Sequence, residues 1–193
     1  MDINLLIARR VRELRDAQSL SLDALAARSN VSRSTISSIE RGESSPTAAV
    51  LDKLASALGV ALASLFEDKG APAEQPSPVA RAAEQPVWTD PASGYTRRSL
   101  SPAAPSPIQL VDVIFPPGQR VAYDSTPHGA DIHQQIWIIE GTMEIGVGDQ
   151  QWQLQAGDTL AMRLERHIVY FNPTDERARY LVALTSQPAT RRN

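Results

Sequence analysis

Apolar residues in the first third of the chain recur every three or four positions, whereas those in the last half alternate with polar ones. That change of period predicts a helical segment followed by a β-rich one. Ile7, Val11 and Leu14 lie one turn apart on a first helix. Ser21 is placed to cap a second helix over 22–28, with Leu22, Leu25 and Ala26 facing inward. Asn30 suits a left-handed turn. Ser32 then caps a third helix, which turns Ile36 and Ile39 to the core and stops at Gly42. Thr47, after Pro46, starts a fourth helix carrying Val50, Leu51, Leu54 and Leu58. A last turn over 61–66 adds Leu62, Leu65 and Phe66.

The later segment reads as short strands punctuated by Gly, Pro and Asp. One strand carries Leu110, Val111, Val113, Ile114 and Phe115 and stops at Pro116-Pro117-Gly118. A strand pair over 136–148 turns at Gly141, and strands at 151–155, 158–164, 168–171 and 179–184 follow. Such a series predicts an antiparallel sandwich or barrel.

Between the two lies a proline-rich joint: eight of the fourteen prolines fall from Pro72 to Pro107. The stretch Gly70-Ala-Pro-Ala-Glu-Gln-Pro-Ser-Pro has nothing to bury and reads as an extended linker. The 193 residues are therefore expected to divide into a helical domain at 1–67, a linker at 68–86, a β domain at 87–187 and a tail at 188–193. The chain has no cysteine, which excludes a thiolate nucleophile, a Cys-ligated zinc and any disulfide. No run of about 18 apolar residues spans a membrane, and arginines at 9, 10, 12 and 15 interrupt any signal-peptide core. A cytoplasmic protein without membrane contact is expected.

The net charge of −3 is uneven: residues 1–66 hold eight basic and seven acidic side chains, the remainder eleven and fifteen. A weakly acidic chain does not bind nucleic acid indiscriminately, but a small module in its first segment can bind it locally. Seventeen of the nineteen basic residues are arginine, which forks onto phosphates and base edges; genomic base composition produces the same bias.

Two short helices joined by a tight turn are usually only packing. The specific signal is what the third helix leaves outside: Ser32, Arg33, Ser34, Thr35, Ser37 and Ser38. A solvated face is normally rich in Glu and Lys, whereas hydroxyls plus one arginine are short donors and acceptors for base edges and phosphates. Residues 5–66 resemble the Xre/Cro family of phage-repressor-like helix-turn-helix domains. The resemblance rests on Leu25-Ala-Ala-Arg-Ser-Asn-Val-Ser-Arg-Ser-Thr-Ile-Ser-Ser-Ile-Glu-Arg-Gly-Glu43, Pro46-Thr47 and Leu54-Ala-Ser-Ala-Leu-Gly-Val60. It implies a five-helix domain whose third helix enters the major groove of double-stranded DNA. It also implies base reading by Ser32, Arg33, Ser34 and Ser38, phosphate contacts from Thr35, Ser37 and Arg41, and a structural ion pair between Arg15 and Glu40. Arg9, Arg10 and Arg12 read as a solvated face. So little net positive charge makes a monomer bind weakly, and a homodimer on half-sites about 34 Å apart is expected.

Residues 87–186 resemble the cupin superfamily, a small jelly-roll barrel. The carrying residues are Pro117-Gly118, Trp137-Ile-Ile-Glu-Gly141, Ala156-Gly-Asp-Thr159 and Phe171-Asn-Pro173. The pairing of the two halves resembles a bacterial regulator family in which the barrel senses a small metabolite. Cupin enzymes hold a metal on three His and a Glu. In that frame Gln134 stands where the Glu belongs, His128 and Ala130 at the paired His, Ile168 at the third His, and Asn172 at the family's Asn. Too few donors survive for a divalent ion, so no metal and no cofactor is expected. His167 is one residue early, and strand bulges would be needed to rescue a site from His133 and His167.

No Ser-His-Asp spacing, acid pair or phosphate loop suggests catalysis. The mouth of such a barrel suits a small-molecule effector. Strand parity turns Gln134, Ile136 and Ile138 inward together with Ile168 and Tyr170, and Tyr123, His128 and Met162 are candidate wall residues. The expected ligand set is thus Tyr123, His128, Gln134, Ile136, Ile138, Met162, Tyr170 and Asn172. Trp137 has outward parity and is a candidate for a second-sheet or dimer contact.

The combined reading is an α + β regulator, not an enzyme: an operator-reading helical domain on an effector-binding, dimerising barrel. A DNA-tethered metal-dependent cupin enzyme, and an antitoxin-like DNA-binding protein with the barrel as partner interface, are the competing classes. A loose linker would uncouple the halves and leave the barrel chiefly a dimerisation unit.

Overall fold

Local capping chemistry sets the helical boundaries. The computed structural model describes residues 2–67, 76–123, 130–164 and 167–188. Helix α1 spans Ile3–Ala17, α2 Leu22–Ser29, α3 Arg33–Glu40 and α4 Ala48–Ala57. Ser21 accepts from the Ala24 amide at 3.1 Å, Ser32 from Thr35 at 3.1 Å and Thr47 from Val50 at 3.4 Å, each satisfying an N-terminal donor that the helix itself leaves unpaired. Asn30 is left-handed at φ 53°, which sets the turn between α2 and α3. Gly42, at φ 70°, ends α3, and a Cβ there would lie 2.7 Å from Cδ2 of Leu5.

The expected five-helix count is corrected: the helical half holds four α-helices and one 3-10 turn, Leu62–Phe66, and a second 3-10 turn, Ala82–Glu84, precedes the strands. The Leu62–Phe66 segment is five residues long and closes through a Ser64 amide to Ala61 carbonyl bond of 2.9 Å, the tighter i to i+3 geometry used in short pieces. Arg10 is a second correction. It does not lie on a solvated face but is 9% exposed, its Nε donating to the Ser64 carbonyl at 3.1 Å and so tying α1 to this turn.

Ten strands follow: β1 Val87–Thr89, β2 Thr96–Ser99, β3 Gln109–Phe115, β4 Arg120–Tyr123, β5 Ala130–Glu140, β6 Thr142–Val147, β7 Gln150–Gln155, β8 Thr159–Arg163, β9 Ile168–Phe171 and β10 Ala178–Pro188. They form a six-stranded sheet in the order β1-β2-β3-β10-β5-β8 and a four-stranded sheet in the order β4-β9-β6-β7, antiparallel throughout. This α + β arrangement is consistent with a helix-turn-helix domain followed by a cupin barrel. Ile132, Gln134, Ile136 and Ile138 of β5 point inward while His133, Gln135 and Trp137 point outward, the period-two alternation of a half-buried strand. At Gly141, φ 75°, a Cβ would stand 2.7 Å from the Arg177 carbonyl, so only glycine makes the β5–β6 turn.

The helical and β halves share one core. Phe66 packs on Trp88 with ring centroids 5.5 Å apart, Trp88 on Tyr95 at 5.7 Å, and Tyr95 on Phe115 at 5.4 Å. Asp90, 2% exposed, accepts the Ala48 amide at 2.9 Å and so adds a barrel carboxylate to the first turn of α4, where the helix dipole favours negative charge. Gln109 donates to Glu67 across the same boundary. These contacts do not depend on residues 68–75, which lie outside the described set, and they remove the expected looseness between the halves.

Candidate DNA-reading face and barrel cavity

Helix α3 presents one side to the core and the other to solvent. Ile36 and Ile39 are buried, whereas Ser32, Arg33, Ser34 and Thr35 are exposed and Ser37 and Ser38 half-buried. The hydroxyls are pre-ordered: Ser32 Oγ lies 2.9 Å from Ser34 Oγ and 2.7 Å from Thr35 Oγ1. Arg33 Nε is 3.2 Å from Asp23 Oδ1, and Arg41 is paired with Glu43 at 2.6 Å; all four side chains are more than half exposed. Exposed pairs of this kind contribute about 0–1 kcal/mol, so a phosphate or base edge displaces them at little cost. The face is held from behind by Arg15, whose Nε and Nη2 fork onto the Glu40 carboxylate at 2.6 and 2.9 Å. Hydrogen bonding to Glu40 also raises the Arg15 pKa. Arg12 adds a bond from Nη2 to the Glu40 carbonyl at 2.8 Å. The structure thus brings Arg15 and Glu40 together at the position the sequence reading gave them, and the seven candidate DNA contacts lie on or beside α3.

A cavity of about 90 Å³ lies between the helical half and the barrel. Asp52, Ala55, Val60, Ala61, Leu62 and Ala63 roof it, and the barrel supplies, among others, Tyr95, Arg97, Tyr123, Gln134, Tyr170 and Tyr180. All four tyrosines of the chain therefore line it. Gln134 Nε2 donates to Tyr170 Oη at 2.8 Å, and the Tyr95 and Tyr123 hydroxyls are 2.8 Å apart. Burial raises all four tyrosine pKa values, Tyr170 to about 12, so these hydroxyls stay neutral donors across the physiological range. Arg97, on β2, is 8% exposed and stacks its guanidinium 4.4 Å above the Phe66 ring centroid.

Of the expected ligand set, Tyr123, Gln134 and Tyr170 are on this wall. Four of the set do not line this cavity. Ile136 and Ile138 are fully buried but lie farther along β5, where the barrel is filled by side chains. Met162, cross-strand from Gln134, is likewise core and not wall. Asn172 pins the turn after β9, donating to the Phe115 and Glu176 carbonyls at 3.3 and 2.7 Å and accepting from Thr174. His128 lies outside the described residues. His133 faces outward, its Nε2 3.3 Å from Asp131, and His167 is exposed. Among the described residues no three His, Asp or Glu side chains converge on one point.

The sequence reading missed Tyr95, Arg97, Tyr180 and the whole helical roof. The signal available was that every tyrosine of the chain falls within the β segment; the roof has no signal in strand parity.

A helix-turn-helix family model matches residues 11–65, which hold α2, α3, α4 and the second half of α1. The HTH-type transcriptional regulator SutR of Escherichia coli (strain K12) is 26% identical over 163 residues, covering 84% of both chains. The crystal structure of an HTH_3 family transcriptional regulator from Vibrio cholerae superposes over 95% of this chain and 96% of that one, at 25% identity and a TM-score of 0.72. That match spans both halves. The chain carries a helix-turn-helix domain and is similar over most of its length to HTH-type transcriptional regulators. A cupin domain of an XRE family regulator from Enterobacter cloacae also aligns, at 17% identity over 47% of this chain and 95% of that one, with a TM-score of 0.43. Among the described residues no helix is long and apolar enough to cross a membrane.

Proposed function

We propose that this regulator reads a specific operator through α3, binds a small-molecule effector in the cavity beneath its helical half, and carries out no catalysis. In this reading Arg33 forks onto a guanine from the major groove, with Ser32, Ser34 and Ser38 on neighbouring base edges and Thr35, Ser37 and Arg41 on phosphates. The observation that carries the proposal is that one small domain presents α3 to solvent and its 3-10 turn to the cavity. An effector in that cavity touches the roof directly, so it alters DNA affinity to the extent that it binds one placement of the roof better than another.

The assembly is a homodimer in this reading, and the compartment is the cytoplasm. Trp137, 49% exposed on the outer face of the six-stranded sheet beside Leu181, supports the barrel as the dimer contact. Selection of duplexes from a random library by the full-length protein tests the proposal. A recovered motif with two half-sites one helical turn apart, bound at least fivefold more weakly by Arg33→Ala, is the expected result. Recovery of no motif overturns it.

A further inference from the structure

The cavity contains one feature that the regulator reading does not use. Arg97 carries a full charge at 8% exposure, its enclosed Nε has no hydrogen-bond partner, and no carboxylate pairs with it among the described residues. Its guanidinium lies over the face of Phe66 and hydrogen bonds with the Tyr95 hydroxyl, a neutral partner that leaves the charge unbalanced. A buried cation is normally paired because removal from water costs several kcal/mol per ion. By contrast the other arginines near the core are matched: Arg10 to Ser64 and Glu13, Arg15 to Glu40, and Arg179 to Asp112 at 2.9 Å.

Around this charge the wall supplies neutral hydroxyls from Tyr95 and Tyr123 and apolar surface from Val111, Val113 and Ile132. A planar guanidinium whose Nε lacks a partner can take a carboxylate, and an apolar wall matches a short hydrocarbon tail. The volume of about 90 Å³ is below the cavity of about 150 Å³ that accommodates benzene, which limits the occupant to a few non-hydrogen atoms.

We propose that the cavity is a receptor for a small carboxylate, held by the Arg97 guanidinium with its short apolar end among the valines of β3. The assignment rests on the effector reading above and names the chemical class of that effector. Because Arg97 also stacks on Phe66, the last residue of the roof, the anion would be bound one side chain away from the helical half.

Calorimetric titration of the full-length protein with acetate, propionate and alanine, with propionamide as the uncharged match, tests it. Alanine is included as a short carboxylate that also carries an ammonium. At least one carboxylate is expected to bind at least tenfold more tightly than propionamide. Arg97→Met is expected to weaken it at least tenfold while leaving the ligand-free melting temperature unchanged or higher, since a buried charge without a carboxylate partner is removed. A melting temperature lowered by the substitution, with carboxylate affinity intact, makes Arg97 a packing residue and overturns the assignment. Equal binding of propionamide and propionate overturns it too, while the effector reading stands. If nothing in the panel binds, the small molecules released by denaturing the purified protein decide. An acid carried by the wild type and not by Arg97→Met supports the assignment. Neutral molecules alone overturn it, and none at all overturns it together with the effector reading.

Discussion

The helical half has two faces held by different physics. On the outer one, Arg33 and Arg41 sit in exposed ion pairs and three hydroxyls bond one another, so every group is ordered yet cheaply released. On the inner one, Phe66, Trp88 and Tyr95 form a buried aromatic chain, and the Ala48 amide is bound by a carboxylate of the other half. The outer face can exchange its partners for DNA without disturbing the fold. The inner face cannot move without giving up buried contacts, so the barrel fixes where α3 points. A sensor needs this asymmetry: a surface free to bind, carried on a support whose position costs free energy to change.

Breaking the inner face is expected to have the largest effect. Phe66→Ala removes a 2%-exposed ring wedged between Trp88 and Arg97, and truncations of this kind cost about 3–5 kcal/mol. Thermal unfolding should show that loss, and limited proteolysis should separate a helical fragment from the barrel. An unchanged melting temperature would mean that the two halves are not one unit. On the outer face Arg33→Ala is expected to cost about 1–3 kcal/mol of operator affinity, read by fluorescence anisotropy. Its unfolding curve should stay within about 0.5 kcal/mol of wild type, because the substitution is on the surface. A folding defect of the size of the binding defect would erase the distinction between the faces.

Asp90→Ala probes the polar part of the inner face. It strands the Ala48 amide and the Ser93 amide, for about 1–3 kcal/mol of stability in denaturant titration. The gentlest probe is ultraviolet titration of the tyrosines, all four of which line the cavity. Burial holds them protonated, and Tyr170 ionises near 12 against an ordinary 10.0. The unfolded chain therefore loses protons that the folded chain keeps. This contribution to stability is complete below about pH 10 and is lost as the pH rises through 12. Tyrosinate absorbance appearing at or below the ordinary range in the native protein would show that the cavity is open to water.

The outer face was legible in the sequence because its determinants are local. Ser32 and Thr35 meet three residues apart, Asn30 and Gly42 mark the turn and the stop, and Ile36 and Ile39 fix which side is buried. The long-range pair Arg15–Glu40 was available only through the family resemblance. Strand parity likewise gave the inward row of β5. It could not say where along that row the barrel is filled, so Ile136 and Ile138 were expected on a wall they do not reach. The short strands β1, β2 and β4 are three or four residues each and show too little alternation to be recognised, which concealed Tyr95 and Arg97. The roof was hidden for a different reason. Ala61, Leu62 and Ala63 read as the core of their own domain, and only the fold shows that their outward side closes another.

The central claim is that occupancy of the cavity reaches α3. It is tested by titrating the selected operator duplex with full-length protein by fluorescence anisotropy, with the tightest-binding carboxylate of the calorimetric panel absent and then saturating. The account expects operator affinity to differ at least fivefold between the two, the lower end of ordinary coupling between sites. Equal affinities, with calorimetry showing the cavity filled in both the free and the DNA-bound protein, would contradict it.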